Sequence, residues 1–291
     1  MIYLLISILS STAIFILFRA FTSFRVITFP AIVINYLIAC TLGMLLAGPD
    51  YPYLERASSP WFVGGLTIGV LFISLFYLMA FTSQRVGMSI TSVATKMSLV
   101  IPVAWFMLTD PADVPTFIKV LAVLLAVVGV VLISSRTGEK FNWNYVLFPL
   151  LIFVGSGIID LTLAHFSHLG TLTPQDQYFF TSAPFLTSTL IGIIVLIINA
   201  LKGTFKINTP TIVAGITLGT VNFLSIFFLV KTFDAHLLDR SAIIPINNLG
   251  VVLCSALAGT LFFSERLSRI NKIGLALSIL AILLLIADVL G

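Results

Sequence analysis

About ten uninterrupted apolar stretches of roughly 17–25 residues follow one another along this chain, the length a helix needs to cross some 30 Å of hydrocarbon. They fall near 2–18, 27–47, 60–81, 86–108, 115–134, 144–165, 177–200, 210–231, 237–262 and 268–288. Such a series leaves few folds open, because a bilayer interior offers backbone N–H and C=O groups no partner outside the chain. The segments are continuous rather than alternating, which excludes a β-barrel. They predict an all-α integral membrane protein of about ten transmembrane helices. Composition agrees: 59% of residues are hydrophobic and 9% charged, whereas about a quarter of a globular domain is charged. The mean hydropathy is +1.16.

Helices of that number use about 200 of the 291 residues. The connections are therefore short, and no soluble domain fits among them. No Gly-x-x-x-x-Gly-Lys-Ser/Thr phosphate loop is present, so any transport is passive or driven by a gradient. Cys40 and Cys254 both fall inside spans and read as small core residues rather than a disulfide. The first segment reads as a retained helix, since no small-x-small cleavage site precedes Arg19.

The chain also repeats itself. Residues 61–69, Trp-Phe-Val-Gly-Gly-Leu-Thr-Ile-Gly, recur about 150 positions later at 211–219 as Thr-Ile-Val-Ala-Gly-Ile-Thr-Leu-Gly. Each copy follows a proline, Pro60 or Pro210, and each holds a glycine pair: Gly65 with Gly69, and Gly215 with Gly219. The polar stretch 134–140, Ser-Ser-Arg-Thr-Gly-Glu-Lys, is the natural midpoint. It divides the chain into 1–138 and 139–291, five helices each. An odd number of spans per half sends the second copy through the membrane in the opposite sense, which makes an inverted repeat. Lys96 in the fourth span then falls against Asn247 in the ninth, and both spans carry a proline, Pro102 and Pro245.

Lys and Arg gather in the odd-numbered loops: Arg19, Arg25, Arg85, Arg136, Lys140, Lys202, Lys206, Arg266, Arg269 and Lys272. The even-numbered loops hold only Arg56, Lys119, Lys231 and Arg240. By the positive-inside rule the odd loops are cytoplasmic and both termini lie outside.

The architecture, the two glycine-pair helices and the run Ser264-Glu265-Arg266-Leu267 ahead of Gly274 resemble the drug/metabolite transporter superfamily, in particular its EamA-type members. The last run is similar to the Gly-Glu-Arg-Leu signature that closes the ninth helix there. The resemblance covers nearly the whole chain and implies two five-helix repeats in a plasma or inner membrane. The first half departs from it, with Thr109-Asp110-Pro111-Ala112-Asp113 and no Glu at the matching place. The family's usual orientation, both termini cytoplasmic, also opposes the charge distribution.

Lys96 is the foremost candidate for substrate binding. An ionised ammonium at the middle of a span costs roughly 2.5–3.5 kcal/mol on insertion scales, and a mid-span lysine does not easily snorkel out. It must meet a carboxylate, a water-filled space or an anionic substrate group, or else lose its proton. Asp160, the one acid well inside a span, is either its ion-pair partner or a protonatable coupling group. Asn35, Asn222, Asn247 and Asn248 are amides at membrane depth. They bond across helices singly or, as a set with Lys96, bind a zwitterion. The glycine pairs read as packing faces and Pro102 and Pro245 as bending points; the phenylalanines read mostly as lipid-facing or core, with Phe72 and Phe76 as candidates to line a gate. His165 and His168 lack a third ligand, and His236 stands alone near Asp234 and Asp239, so no metal site is expected.

The reading is a secondary transporter of a small polar metabolite such as an amino acid, most simply an exporter, working by alternating access between the repeats. A flippase for a lipid-linked substrate and a sugar or nucleoside carrier are the alternatives. An intramembrane enzyme would need clustered acids or a His-rich motif, which the spans lack. The expected partners are the substrate and the lipid bilayer, with no cofactor, no nucleic acid and a monomeric chain.

Overall fold

The computed structural model describes residues 2–109, 116–134, 143–167, 173–235 and 240–290. The polar midpoint beyond Ser134, residues 110–113, His168, His236 and Asp239 lie outside them, as do the side chains of His165 and Asp234. Twelve helices follow in order: α1 (Ile2–Ala20), α2 (Thr28–Ala47), α3 (Tyr53–Arg56), α4 (Pro60–Arg85), α5 (Met88–Met97), α6 (Val100–Thr109), α7 (Phe117–Ser134), α8 (Trp143–Ser167), α9 (Pro174–Leu201), α10 (Thr209–Asp234), α11 (Arg240–Phe263) and α12 (Arg269–Leu290). No strand occurs among the described residues. Nine stretches among them are long and apolar enough to cross a membrane, and a tenth, Val146–Thr162 within α8, is apolar but shorter. The protein is thus all-helical with the character of a multi-pass membrane protein.

One expected span is not a single helix. The fourth, 86–108, is divided into α5 and α6 by a turn at Ser98 and Leu99. Pro102 explains the place of the break: it has no N–H to donate, and its ring collides with the carbonyl four residues earlier, that of Ser98. Ile101 N–H instead donates to Ser98 O at 2.9 Å, a tighter turn than the α-helical one. Pro245, by contrast, sits inside a continuous α11.

The helices group into two compact units, each assembled from both halves of the sequence: residues 1–19, 81–160 and 224–291 in the first, 20–80 and 161–223 in the second.

In the first unit α7 and α12 run antiparallel. A Cβ on Gly129 would meet Ser278 Oγ at 2.5 Å and Gly274 O at 3.0 Å, and Gly274 lies against the Ile133 backbone, so the pair packs backbone to backbone. Polar contacts hold both ends. Asn271 Nδ2 donates to Ile133 O at 2.5 Å, an otherwise unpaired carbonyl at the end of α7. Thr116 Oγ1 donates to Asp288 Oδ1 at 2.6 Å, and Lys119 Nζ lies 3.6 Å from Asp288 Oδ2.

In the second unit the repeated glycines serve the same kind of approach. A Cβ on Gly65 would meet that of Ala183 at 2.8 Å, and one on Gly69 would meet Pro184 O at 2.5 Å, so α4 lies close on α9. Gly215 and Gly219 face Ile34, Asn35 O and Ile38, bringing α10 onto α2. Phe72 and Phe76 belong to a ring cluster with Tyr36 and Phe185, in which the Tyr36 hydroxyl donates to Phe72 O at 2.7 Å.

The start of α9 is fixed by a capping box. Thr173 Oγ1 accepts from the Asp176 N–H at 3.2 Å while Asp176 Oδ2 accepts from the Thr173 N–H at 3.0 Å. The Tyr51 hydroxyl donates to Asp176 Oδ1 at 2.6 Å, and Arg56 Nε lies 3.5 Å away. Asp176 is 1% exposed and precedes the apolar stretch Tyr178–Leu201. Burial alone would raise its carboxyl. The bonds from Tyr51 and Thr173, with the Arg56 charge, outweigh burial and hold it below the ordinary 3.8. A depressed folded-state value stabilises the fold above the unfolded value and loses that contribution as pH falls through the folded one. The stability difference between wild type and Asp176→Asn should therefore be constant above about pH 5 and shrink below about pH 4, as read by thermal melts of the detergent-purified protein across that range.

Candidate functional site

The first unit gathers most of the polar side chains singled out in the sequence, and α5 is its centre. This half-span is the polar one: Ser89, Thr91, Ser92, Thr95 and Lys96 lie within ten residues. The Glu265 carboxylate caps its N-terminus. Glu265 Oε1 accepts from the Met88 N–H at 2.6 Å, and Oε2 accepts from the Ser89 N–H at 3.2 Å and the Ser89 hydroxyl at 2.7 Å. A carboxylate there meets both the unpaired N–H groups and the positive end of the helix dipole. Arg19 Nε approaches Glu265 Oε1 at 4.0 Å, and its guanidinium donates to the carbonyls of Ser83 and Gln84. Gly87, at φ +138°, supplies the backbone shape that brings Met88 and Ser89 to the carboxylate. A Cβ on Gly259 would fall 2.5 Å from Glu265 Oε2.

Lys96 occupies the last turn of α5, one residue before the break. Its side chain is half-buried. Among the described residues its ammonium makes no hydrogen bond and no close ion pair, yet Asp160 of α8 acts on it electrostatically. Asp160 is half-buried too. Its Oδ2 accepts from the Ser98 hydroxyl at 2.8 Å, and Ser98 Oγ also lies 2.6 Å from Thr95 O. The break in the span therefore places a cation, an anion and a hydroxyl within three residues of chain and one facing helix.

From α11, Asn248 Nδ2 donates to Lys96 O at 3.2 Å, satisfying a carbonyl of the last helical turn. Asn247 is 2% exposed. Its Oδ1 accepts from the Ser7 hydroxyl of α1 at 3.1 Å, and Ser7 Oγ also lies 2.8 Å from Ser225 O of α10. Lys96, Asp160, Asn247 and Asn248 thus belong to one unit and, with Ser7 and Ser98, form a polar layer drawn from α1, α5, α8 and α11. Asn35 and Asn222 belong to the second unit. There Asn222 Nδ2 donates to Asn35 Oδ1 at 3.2 Å, and Asn35 Nδ2 donates to Ile32 O at 3.4 Å. Such a bonded amide pair ties α2 to α10.

Three participants escaped the sequence reading. Ser7 and Ser98 are small hydroxyls of a kind common in any span. Glu265 stood in a recognised run, but only tertiary structure brings it to α5. Among the described residues no group of three His, Cys, Asp or Glu side chains is placed to hold a metal ion.

No family model matches the chain. An uncharacterized protein of Haemophilus influenzae is 27% identical over 290 residues, covering 96% of this chain and 95% of the relative. A protein of known crystal structure aligns over 98% of this chain and 96% of its own, with a TM-score of 0.56 and 14% identity. That likeness extends to the fold alone.

Glu265→Gln keeps the shape of the cap and removes its charge. It should lower stability by about 1–2 kcal/mol, measured as a lower melting midpoint in detergent. Glu55→Gln, on the short helix α3, should leave the midpoint unchanged.

Proposed function

We propose that this protein is a secondary transporter of a small polar metabolite such as an amino acid, with ten spans in two inverted five-helix repeats of the EamA type. The observation that carries this reading is Lys96: a half-buried ammonium within a membrane span, without a direct partner among the described residues. A charge kept at such depth marks a ligand or ion pathway more often than a packing role. Asp160, on the facing helix, is within electrostatic reach of it without a direct ion pair, so each group keeps hydrogen-bonding capacity. A zwitterion matches them: its carboxylate goes to Lys96 and its ammonium to Asp160. Ser98, bonded to Asp160, and Asn248, bonded to the Lys96 carbonyl, are the hydroxyl and amide beside them.

Alternating access needs an element that can change direction. The break between α5 and α6, one residue beyond Lys96, is the place where bending costs the fewest backbone bonds. Binding would then be felt directly by the hinge. Asp160 is the coupling candidate, since protonating it leaves the Lys96 charge unbalanced. The lipid environment is the plasma or inner membrane, and the activity is carriage rather than chemistry.

Counterflow into liposomes tests the proposal. Purified protein should exchange a labelled neutral amino acid, and the matching amine without its carboxyl group should fail to compete. Lys96→Ala should slow exchange by at least about tenfold, the factor for about 1.4 kcal/mol of lost binding. Asn222→Ala should lower stability and leave the exchange rate per folded molecule within about twofold. Unchanged exchange in Lys96→Ala would refute the assignment.

A further inference from the structure

The second unit holds a cavity of about 460 Å³ that the transport reading does not use, with Ile27, Phe29, Tyr77, Asn199, Phe205 and Lys206 in its lining. It sits where spans end: α2 begins at Thr28 and α9 stops at Leu201. Its walls are apolar, with Phe29 edge-on to Tyr77 at 6.0 Å between ring centres. Its rim is polar and cationic.

The rim is built by hydrogen bonds. Gly203, at φ +69°, turns the chain after α9, a conformation that costs glycine little. Thr204 and Phe205 N–H then both donate to Asn199 O, at 2.9 and 3.1 Å. The loop folds back over the helix end and sets Phe205 and Lys206 beside Asn199. On the other side, Ile27 N–H donates to Thr211 Oγ1 at 2.9 Å and Asn208 Nδ2 donates to Arg25 O at 3.1 Å. The two connections are thereby tied together around the opening.

The charge at this end has one sign. Connections 20–27 and 202–208 contain Arg25, Lys202 and Lys206 and no acid. Below the rim, α4 runs on from Tyr77 of the cavity wall as an exposed apolar stripe through Val70 and Val63, at seven-residue spacing on one helix face. A ligand suited to both parts has an anionic head at the rim and a hydrocarbon chain along the stripe. A water-soluble metabolite would match the head alone.

We propose that this cavity binds an anionic membrane phospholipid, its phosphate at Lys206 and Asn199 and one acyl chain along α4. Basic pockets at the ends of membrane helices recognise headgroups by this combination. Phosphate is common to lipid headgroups and to free phosphate, and the assignment here is to the lipid.

The test titrates detergent-purified full-length protein with dioctanoyl phosphatidylglycerol and reads the thermal midpoint. The lipid should raise the midpoint of wild type, and Lys206→Ala should need about fivefold more lipid for the same rise, the factor for one surface lysine. Lys202→Ala, outside the cavity lining, should respond like wild type. Dioctanoyl phosphatidylcholine and inorganic phosphate should each leave the midpoint unmoved. A wild-type response in Lys206→Ala, an equal loss in Lys202→Ala, or an equal effect of phosphatidylcholine would overturn the assignment. A rise with inorganic phosphate alone would assign the site to free phosphate and overturn the lipid. Since Lys206 takes no part in the Lys96 cluster, either outcome leaves the transport reading to its own test.

Discussion

The Glu265 carboxylate on the first N–H groups of α5 is the contact on which the polar half-span depends. The first N–H groups of a helix have no partner within it, and here, at the start of the span, the chain itself supplies the acceptor. Glu265 supplies two oxygens to three donors, Arg19 lies beside it, and Gly87 and Gly259 make room. With that end fixed, the opposite end of α5 is defined within one turn. That is where Lys96 and Ser98 stand.

At the far end the argument is one of charge. Lys96 and Asp160 balance each other without closing a direct ion pair, unlike Lys119 and Asp288 of the same unit, whose charged atoms lie 3.6 Å apart at a helix terminus. The contrast separates two arrangements of an opposite-charge pair: one fastens α7 to α12, and in the transport we propose the other is left to a ligand. The amides join helices in both units: Asn222 bonds Asn35 across α10 and α2, Asn248 reaches the last turn of α5 from α11, and Asn247 meets Ser7 of α1.

The spans were legible in the sequence because long apolar runs have one physical outcome in a membrane. The glycine pairs were legible because only a close approach of backbones puts Gly at every fourth position of an apolar helix. Lys96 and Asp160 could be picked out because an ionised group at that depth is expensive. The break at Ser98 was not visible: Pro102 and Pro245 look alike in sequence, and α11 continues through the second. Nor was the role of Glu265 visible, since an acid between two spans reads as a loop charge until the fold carries it to residue 88. The two compact units cross the sequence midpoint for the same reason. Neighbours in the chain and neighbours in space are different sets.

The most direct test of the Lys96 cluster is a thermal-stability panel of amino acids, organic acids, nucleosides and sugars on wild type, Lys96→Ala and Asp160→Asn. A ligand that binds only the folded state adds about 2.7 kcal/mol at a hundredfold excess over its dissociation constant. The account predicts that a neutral amino acid raises the wild-type midpoint while both variants fold and fail to respond. Lys96→Ala responding like wild type would contradict it, because the lysine would then be structural and the zwitterion would bind elsewhere.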